Sequence, residues 1–306
     1  MADTVPQPPR AGRRQAGPPG EPRRIAYLYI APALLVFGLF FLTPLLHAVW
    51  LSLYEWDGLS VGTWVGLDNY RLVLTDEALR EPFVHALTLI VFFSIIPCAL
   101  GLALASMITR SAVRGVNFFR TVLFLPQVVA LVVVAVAWRQ IFAPDGPLND
   151  FLRTVGLGDV ARGWLGDERY ALICIGIVGI WVCTGLCVVL FLAGLSKVPR
   201  ELYEAARLDG AGPIREFITI SVPAVRGELA VALTLTLVAA MRTFDLVYVM
   251  TSGGPGTSSR VPAYEVWDRA INKGQVGVGV TVALILTAFI LLCTVLINRL
   301  SESADS

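Results

Sequence analysis

Ionisable and nucleophilic side chains are scarce in the long apolar runs of this sequence, and those few bound the chemistry open to it. Arg242 and Asp245 stand three positions apart inside the run "LAVALTLTLVAAMRTFDLVYVM". Facing lipid at a bilayer centre, each would cost about 2.5–3.5 kcal/mol, so both should face protein or a wet cavity. Three residues apart, they can also pair with each other. Two readings therefore stand, a structural ion pair and contacts to a polar solute. Thr234, Thr236 and Thr243 share the run; their hydroxyls can meet a solute or bond their own helix carbonyls. Cys183 and Cys187 are one helical turn apart with no His or carboxylate nearby in sequence, which reads as packing rather than metal ligation. His47 and His85 are the only histidines, too few to support a proton relay or metal centre. No G-x-x-x-x-G-K-[ST] phosphate loop occurs, and the glycine-rich "TSGGPGTSSR" lacks its lysine. An enzyme embedded in the membrane would need clustered carboxylates, His/Cys ligands or a nucleophile–base set, and none is found. The sequence thus predicts no catalytic residues, no metal and no resident cofactor.

The other chemically distinctive stretch is polar. "ELYEAARLDGAG", residues 201–212, lies between two apolar runs. Pro199 suits the first helical position, and Leu202, Ala205, Ala206 and Asp209 trace one face at i, i+3, i+4 and i+7. Asp209-Gly210 reads as a helix stop, with glycine free to adopt the left-handed conformation. Pro213 restarts a second short helix and Pro223 closes the segment. A helix of about ten residues is marginal alone in water. It either packs along the ends of its own spans or docks on a partner.

The elements that must carry these residues are membrane spans. The chain has 306 residues, of which 56% are hydrophobic and 15% charged, against about 25% charged in soluble domains. Six runs are long enough to cross a bilayer as helices, at about 26–50, 84–108, 120–142, 170–195, 228–250 and 277–298. Counted from 228, Arg242 and Asp245 would lie about 21 and 26 Å along the fifth. Residues 1–24 are rich in Pro, Gly and Arg and are expected to be a disordered tail, followed by an uncleaved first span. With that tail inside, fourteen Lys and Arg fall in cytoplasmic segments and nine in outer loops, so both termini are expected to be cytoplasmic. The five cysteines all fall in the spans, where no structural disulfide is expected. Gly176, Gly179, Gly185 and Gly194 suggest close packing of the fourth span. Pro44, Pro97 and Pro126 either kink their spans or are simply tolerated there. The expected architecture is all-helical: a six-span domain over 25–299, a cytoplasmic loop at 196–227 and a short tail at 300–306.

Glu204-Ala205-Ala206, three residues, Gly210, nine residues, Ile220, one residue, Val222 and Pro223 together resemble the EAA loop of permease subunits in binding-protein-dependent ATP-binding-cassette importers. That loop runs E-A-A, three residues, G, nine residues, I-x-L-P; the departure is Val222 in place of leucine. "GLDNYRLVL", "FFRTVLFLP" and "FDLVYVMTSGGPGTSS" are similar to the carbohydrate and glycerol-phosphate branch of the same family, and the resemblance extends over residues 25–299. It implies the type I importer fold, with the loop as a coupling helix seated on a separate ATPase. Glu204, Ala205, Ala206, Gly210, Ile220 and Pro223 would form that coupling element. It further implies a second homologous permease, a cytoplasmic ATPase dimer that binds the ATP, an external binding protein and a sugar-like substrate. Thr234, Thr236, Arg242 and Asp245 would then be candidates for the translocation path, and the outer "TSGGPGTSS" loop a surface met by the binding protein. The rival reading is an ion-coupled secondary transporter, which would typically carry ionisable residues near mid-span; here the span centres hold almost none.

Overall fold

The structure is a computed structural model, described over residues 23–110 and 116–302. Most of the 1–24 tail, part of the short basic loop after the second span and the last four residues lie outside it. The chain divides after Ala48. α1 (Arg23–Phe37) runs through a π-helical turn, Gly38–Leu42, into α2 (Thr43–Leu51), within which the division falls. Tyr29–Leu51 forms one apolar helix of 23 residues, long enough for a span.

The rest begins with a two-stranded hairpin, β1 (Tyr54–Glu55) and β2 (Thr63–Trp64), antiparallel with Tyr54 opposite Trp64. This small hairpin is the one departure from the all-helical expectation among the described residues. Next come α3 (Asp68–Thr75), α4 (Glu77–Ile90), α5 (Ile96–Arg110), α6 (Val116–Val128), α7 (Leu131–Ile141), α8 (Pro147–Thr154) and α9 (Ala171–Leu195). The chain continues through α10 (Arg200–Leu208), α11 (Pro213–Glu216), α12 (Val222–Ala224), α13 (Arg226–Met241), α14 (Asp245–Met250), α15 (Pro262–Trp267) and α16 (Val276–Glu302).

Four helices can cross a bilayer unbroken: Tyr29–Leu51, Glu77–Thr109, Ala171–Leu195 and Val276–Ser301. Two further crossings require bent pairs, Thr121–Val128 with Leu131–Ile141 at 105° and Pro213–Ala224 with Arg226–Met241 at 75°. The expected fifth span, 228–250, is therefore not one helix. It stops at Met241, and α14 resumes only at Asp245.

Proline explains much of this irregularity. The π turns Gly38–Leu42, Val91–Ile95 and Phe217–Ser221 each end two residues before a proline, Pro44, Pro97 and Pro223. A proline has no N–H to donate and its ring crowds the carbonyl four residues back. Widening the preceding turn relieves that conflict without breaking the helix. Pro126 lies in the last turn of α6, just ahead of the 105° bend.

The centre of the larger unit is α9, apolar all round and 61% buried, against 17% for α16; an apolar cylinder of this kind belongs inside a bundle. One core cluster joins Ile175, Val178 and Val182 of α9 to Val134 and Leu246. A second joins Cys187, Val188 and Phe191 to Cys98, Leu102 and Ala232. Glycine lets neighbours reach the α9 backbone. A side-chain carbon at Gly179 would strike the Phe93 ring, and one at Gly185 the carbonyl oxygen of Leu123.

Candidate functional site: the polar loop and a cavity between two helix breaks

The polar loop folds as the helix and stop that its sequence suggests. Pro199 is the N-cap of α10 rather than its first residue. At the other end Gly210 N–H donates to Arg207 O at 3.0 Å and Ala211 N–H to Ala206 O at 2.9 Å, with Gly210 at φ +79°. This double closure satisfies the last carbonyls and requires the left-handed residue. Pro213 opens α11 in its first turn, and the π turn and α12 then lead to the bend at Val225.

The buried anchor of α10 is Tyr203, whose hydroxyl lies 3.2 Å from Ser221 Oγ. Ala206 is half-buried, while Leu202, Ala205 and Asp209 are exposed. The face traced by Leu202, Ala205, Ala206 and Asp209 is thus mostly free of contacts with its own protein. Arg207 Nε donates to Glu216 Oε1 at 3.0 Å, and Glu216 is only 3% exposed. Lys197 Nζ donates to Glu228 Oε1 at 2.8 Å, joining the start of the loop to α13. Glu204 is exposed and makes no side-chain hydrogen bond or ion pair among the described residues. Ile220 is half-buried and Pro223 exposed.

The α6–α7 break and the α13–α14 break meet at a cavity of about 490 Å³. Pro126, Gln127 and Val129 line it from the α6–α7 break, and Arg242, Thr243, Phe244 and Asp245 from the α13–α14 break. Inside a membrane, non-helical backbone is tolerated where it is buried in protein or lines a cavity. Arg242 and Asp245 form no ion pair with each other or with any other described residue. The pairing available in a continuous helix is lost because the helix ends between them. Thr243 Oγ1 donates to Ala239 O at 2.8 Å, and Gln127 Nε2 to Val182 O at 3.0 Å.

The four path candidates separate. Arg242 and Asp245 line the cavity, whereas Thr234 and Thr236 do not. Thr236 is buried, donates to Ala232 O at 2.7 Å and lies 2.7 Å from Ser94 Oγ, binding α13 to the widened turn after α4. Thr234 Oγ1 is buried with no hydrogen-bond partner. Gln127 and Phe244 were not singled out by sequence; Gln127, the polar residue directly after Pro126 in "FLPQVV", carried the available signal. Cys187 sits beside Cys98, sulfur to sulfur 3.8 Å, as core packing, and the described residues hold no cluster of three metal-ligating side chains.

The model of the family described as "Binding-protein-dependent transport system inner membrane component" matches residues 23–304. The chain belongs to that family. It is a permease subunit of a binding-protein-dependent ABC importer, an inner-membrane transport component rather than an enzyme. The permease is 39% identical over 273 residues to "Probable ABC transporter permease protein YurN" of Bacillus subtilis, covering 86% of this chain and 92% of the relative. It is 31% identical to "Diacetylchitobiose uptake system permease protein NgcF" of Streptomyces coelicolor, covering 100% and 94%. It is 32% identical to "Trehalose/maltose transport system permease protein MalF" of Thermococcus litoralis, covering 89% and 92%. Among solved structures, a bacterial ABC transporter involved in the import of the acidic polysaccharide alginate superposes with a TM-score of 0.77 at 20% identity, covering 92% of the permease and 96% of that chain. That likeness supports the fold.

Proposed function

We propose that this permease forms half of the membrane path for a sugar-like solute delivered by an external binding protein, and that residues 196–227 couple the path to a cytoplasmic ATPase dimer. The other half is a second, homologous permease. Counting each bent pair as one span gives six crossings and leaves both termini on one side, and the Lys/Arg bias favours the cytoplasm for that side. Glycosides are the favoured cargo because diacetylchitobiose and trehalose/maltose appear in the names of relatives similar over almost the whole chain.

The observation that carries the coupling role is the free face of α10. Glu204 and Ala205 stand exposed on a helix with a fixed end at Gly210, held to its own protein by Tyr203 and Arg207. A short helix anchored on one side and open on the other suits a cleft in a soluble partner. Force on α10 reaches α11 through Arg207–Glu216, passes the bend at Val225 and enters α13. The far end of α13 is Arg242, at the cavity. Closure of the ATPase on ATP would thus change which side the cavity opens to, as a rigid-element switch. The cavity volume falls within the range of small-ligand sites. Arg242 supplies hydrogen-bond donors and Asp245 acceptors suited to sugar hydroxyls.

Purification of the Glu204→Lys protein tests this reading. It should insert in the membrane at normal levels and lose its ATPase; retention of the ATPase at the wild-type ratio would sink the coupling role.

A further inference from the structure

The hairpin after the first span ends in an apolar tip. Leu59 is 95% exposed and Val61 96%, with only Ser60 between them. The tip is nevertheless pinned. Asp57 Oδ1 accepts from Leu59 N at 2.9 Å, Ser60 N at 2.7 Å and Ser60 Oγ at 2.9 Å. Trp56 Nε1 donates to Ser60 O at 2.7 Å, and the Trp56 carbonyl accepts from Val276 N at 2.9 Å, so the hairpin is joined to the start of α16. The Ser60 and Leu59 amides, with the Ser60 hydroxyl, hold the Asp57 carboxyl below the usual carboxylate range. Beside the tip lies a polar groove of about 690 Å³, with Glu55, Asp57 and Asp68 in its wall. Between Leu51 and Tyr70 there are three carboxylates and no Lys or Arg.

We infer that this hairpin tip is a docking prong for the external binding protein, with Leu59 and Val61 entering an apolar recess that is ringed by lysine and arginine. The inference rests on the proposed orientation and on delivery by a binding protein, which put this loop outside the cell. Two nearly bare aliphatic side chains on an ordered backbone gain from burial only against another surface, and preorganisation lowers the cost of that association. The carboxylates choose the surface. Anionic lipid headgroups attract basic segments and repel this one, whereas a basic rim on a protein receives the acids in the adjoining groove.

The test uses the permease–ATPase complex in nanodiscs of phosphatidylethanolamine and phosphatidylglycerol, with the binding protein that stimulates the wild-type complex. The double variant Leu59→Asp/Val61→Asp changes side chains with almost no contacts, so folding is preserved. It should raise the concentration for half-maximal ATPase stimulation by about tenfold or more, leaving the rate without binding protein unchanged. Glu55→Lys should weaken binding and flatten its salt dependence. A spin label at Leu59→Cys should lose mobility when the binding protein is added. An unchanged half-maximal concentration in the double variant overturns the prong, as does a label immersed in the bilayer. A wild-type complex that no binding protein stimulates overturns the proposed delivery by a binding protein, and this inference with it.

Discussion

Arg207 and Glu216 join the two limbs of the polar loop: the guanidinium Nε lies 3.0 Å from a carboxylate that is 3% exposed. Hydrogen bonds to charged groups contribute about 1.5–3 kcal/mol. Because the Arg207 side chain is 56% exposed, solvent screening reduces this to about 1 kcal/mol. Arg207→Ala should therefore keep the fold but let α10 move independently of α11. Hydrogen exchange across 200–210 should accelerate and stimulated ATPase should fall, with basal ATPase intact. Arg207→Lys, which retains a charged donor group, should recover part of both. Wild-type stimulation in Arg207→Ala would remove the link from the coupling route.

Gly210 is constrained by conformation and not by space. A side-chain carbon there would meet nothing within 4 Å, yet φ is +79°. A left-handed L-residue costs about 1–2 kcal/mol, less for asparagine. Gly210→Asn should retain the ATPase nearly as wild type, while Gly210→Val should distort the end of α10 and shed it. Equal retention in both variants would show that the left-handed turn does not matter for docking.

The contrast between these residues indicates what the sequence could convey. Gly210 and Pro213 were legible because their backbone preferences are local, and the stop and restart occur where they stand. The candidate spans were legible as apolar length, but not as straight or broken helices. Hydrophobic length does not record the bend after Pro126 or the end of α13 at Met241. The spacing of Leu202, Ala205, Ala206 and Asp209 left open whether α10 packs on its own spans or docks on a partner, because the anchors lie elsewhere: Tyr203 finds Ser221 and Arg207 finds Glu216, partners 18 and 9 positions away. Likewise, Arg242 and Asp245 are near in sequence and unpaired in the fold, because periodicity assumes an unbroken helix.

Asp268 gives the segment between α14 and α16 a defined acid sensitivity. Burial raises its pKa, but hydrogen bonds from Lys273 and Asn272, with the charges of Lys273 and Arg260, outweigh this and hold it below the ordinary value. A folded pKa below the unfolded one contributes stability that is complete above the unfolded value, about 3.9. That stability is lost as pH falls through the lower folded value. The melting temperature of the purified permease should therefore owe no pH dependence to Asp268 near neutrality. In Lys273→Ala the main lowering partner is gone and burial remains, so the acid-sensitive range should move to higher pH. A melting profile that does not move between the two proteins would exclude Asp268 as its source.

Arg242 and Asp245 line one cavity without pairing, which predicts a specific pattern for their variants. In a structural ion pair, removing one partner strands the other, and removing both relieves the loss. Here each side chain faces the cavity independently. Arg242→Ala and Asp245→Ala should each reduce uptake of the transported solute by about tenfold or more if each hydrogen-bonds that solute, since losing a bond to a charged group costs about 1.5–3 kcal/mol. The double variant should be no better than the worse single one. Melting temperatures should change little in all three, because no native ion pair is broken. Retained stimulation by the binding protein would place the defect in the path and not in docking or coupling. Recovery of uptake in the double variant would instead restore the structural pair and remove both residues from the path.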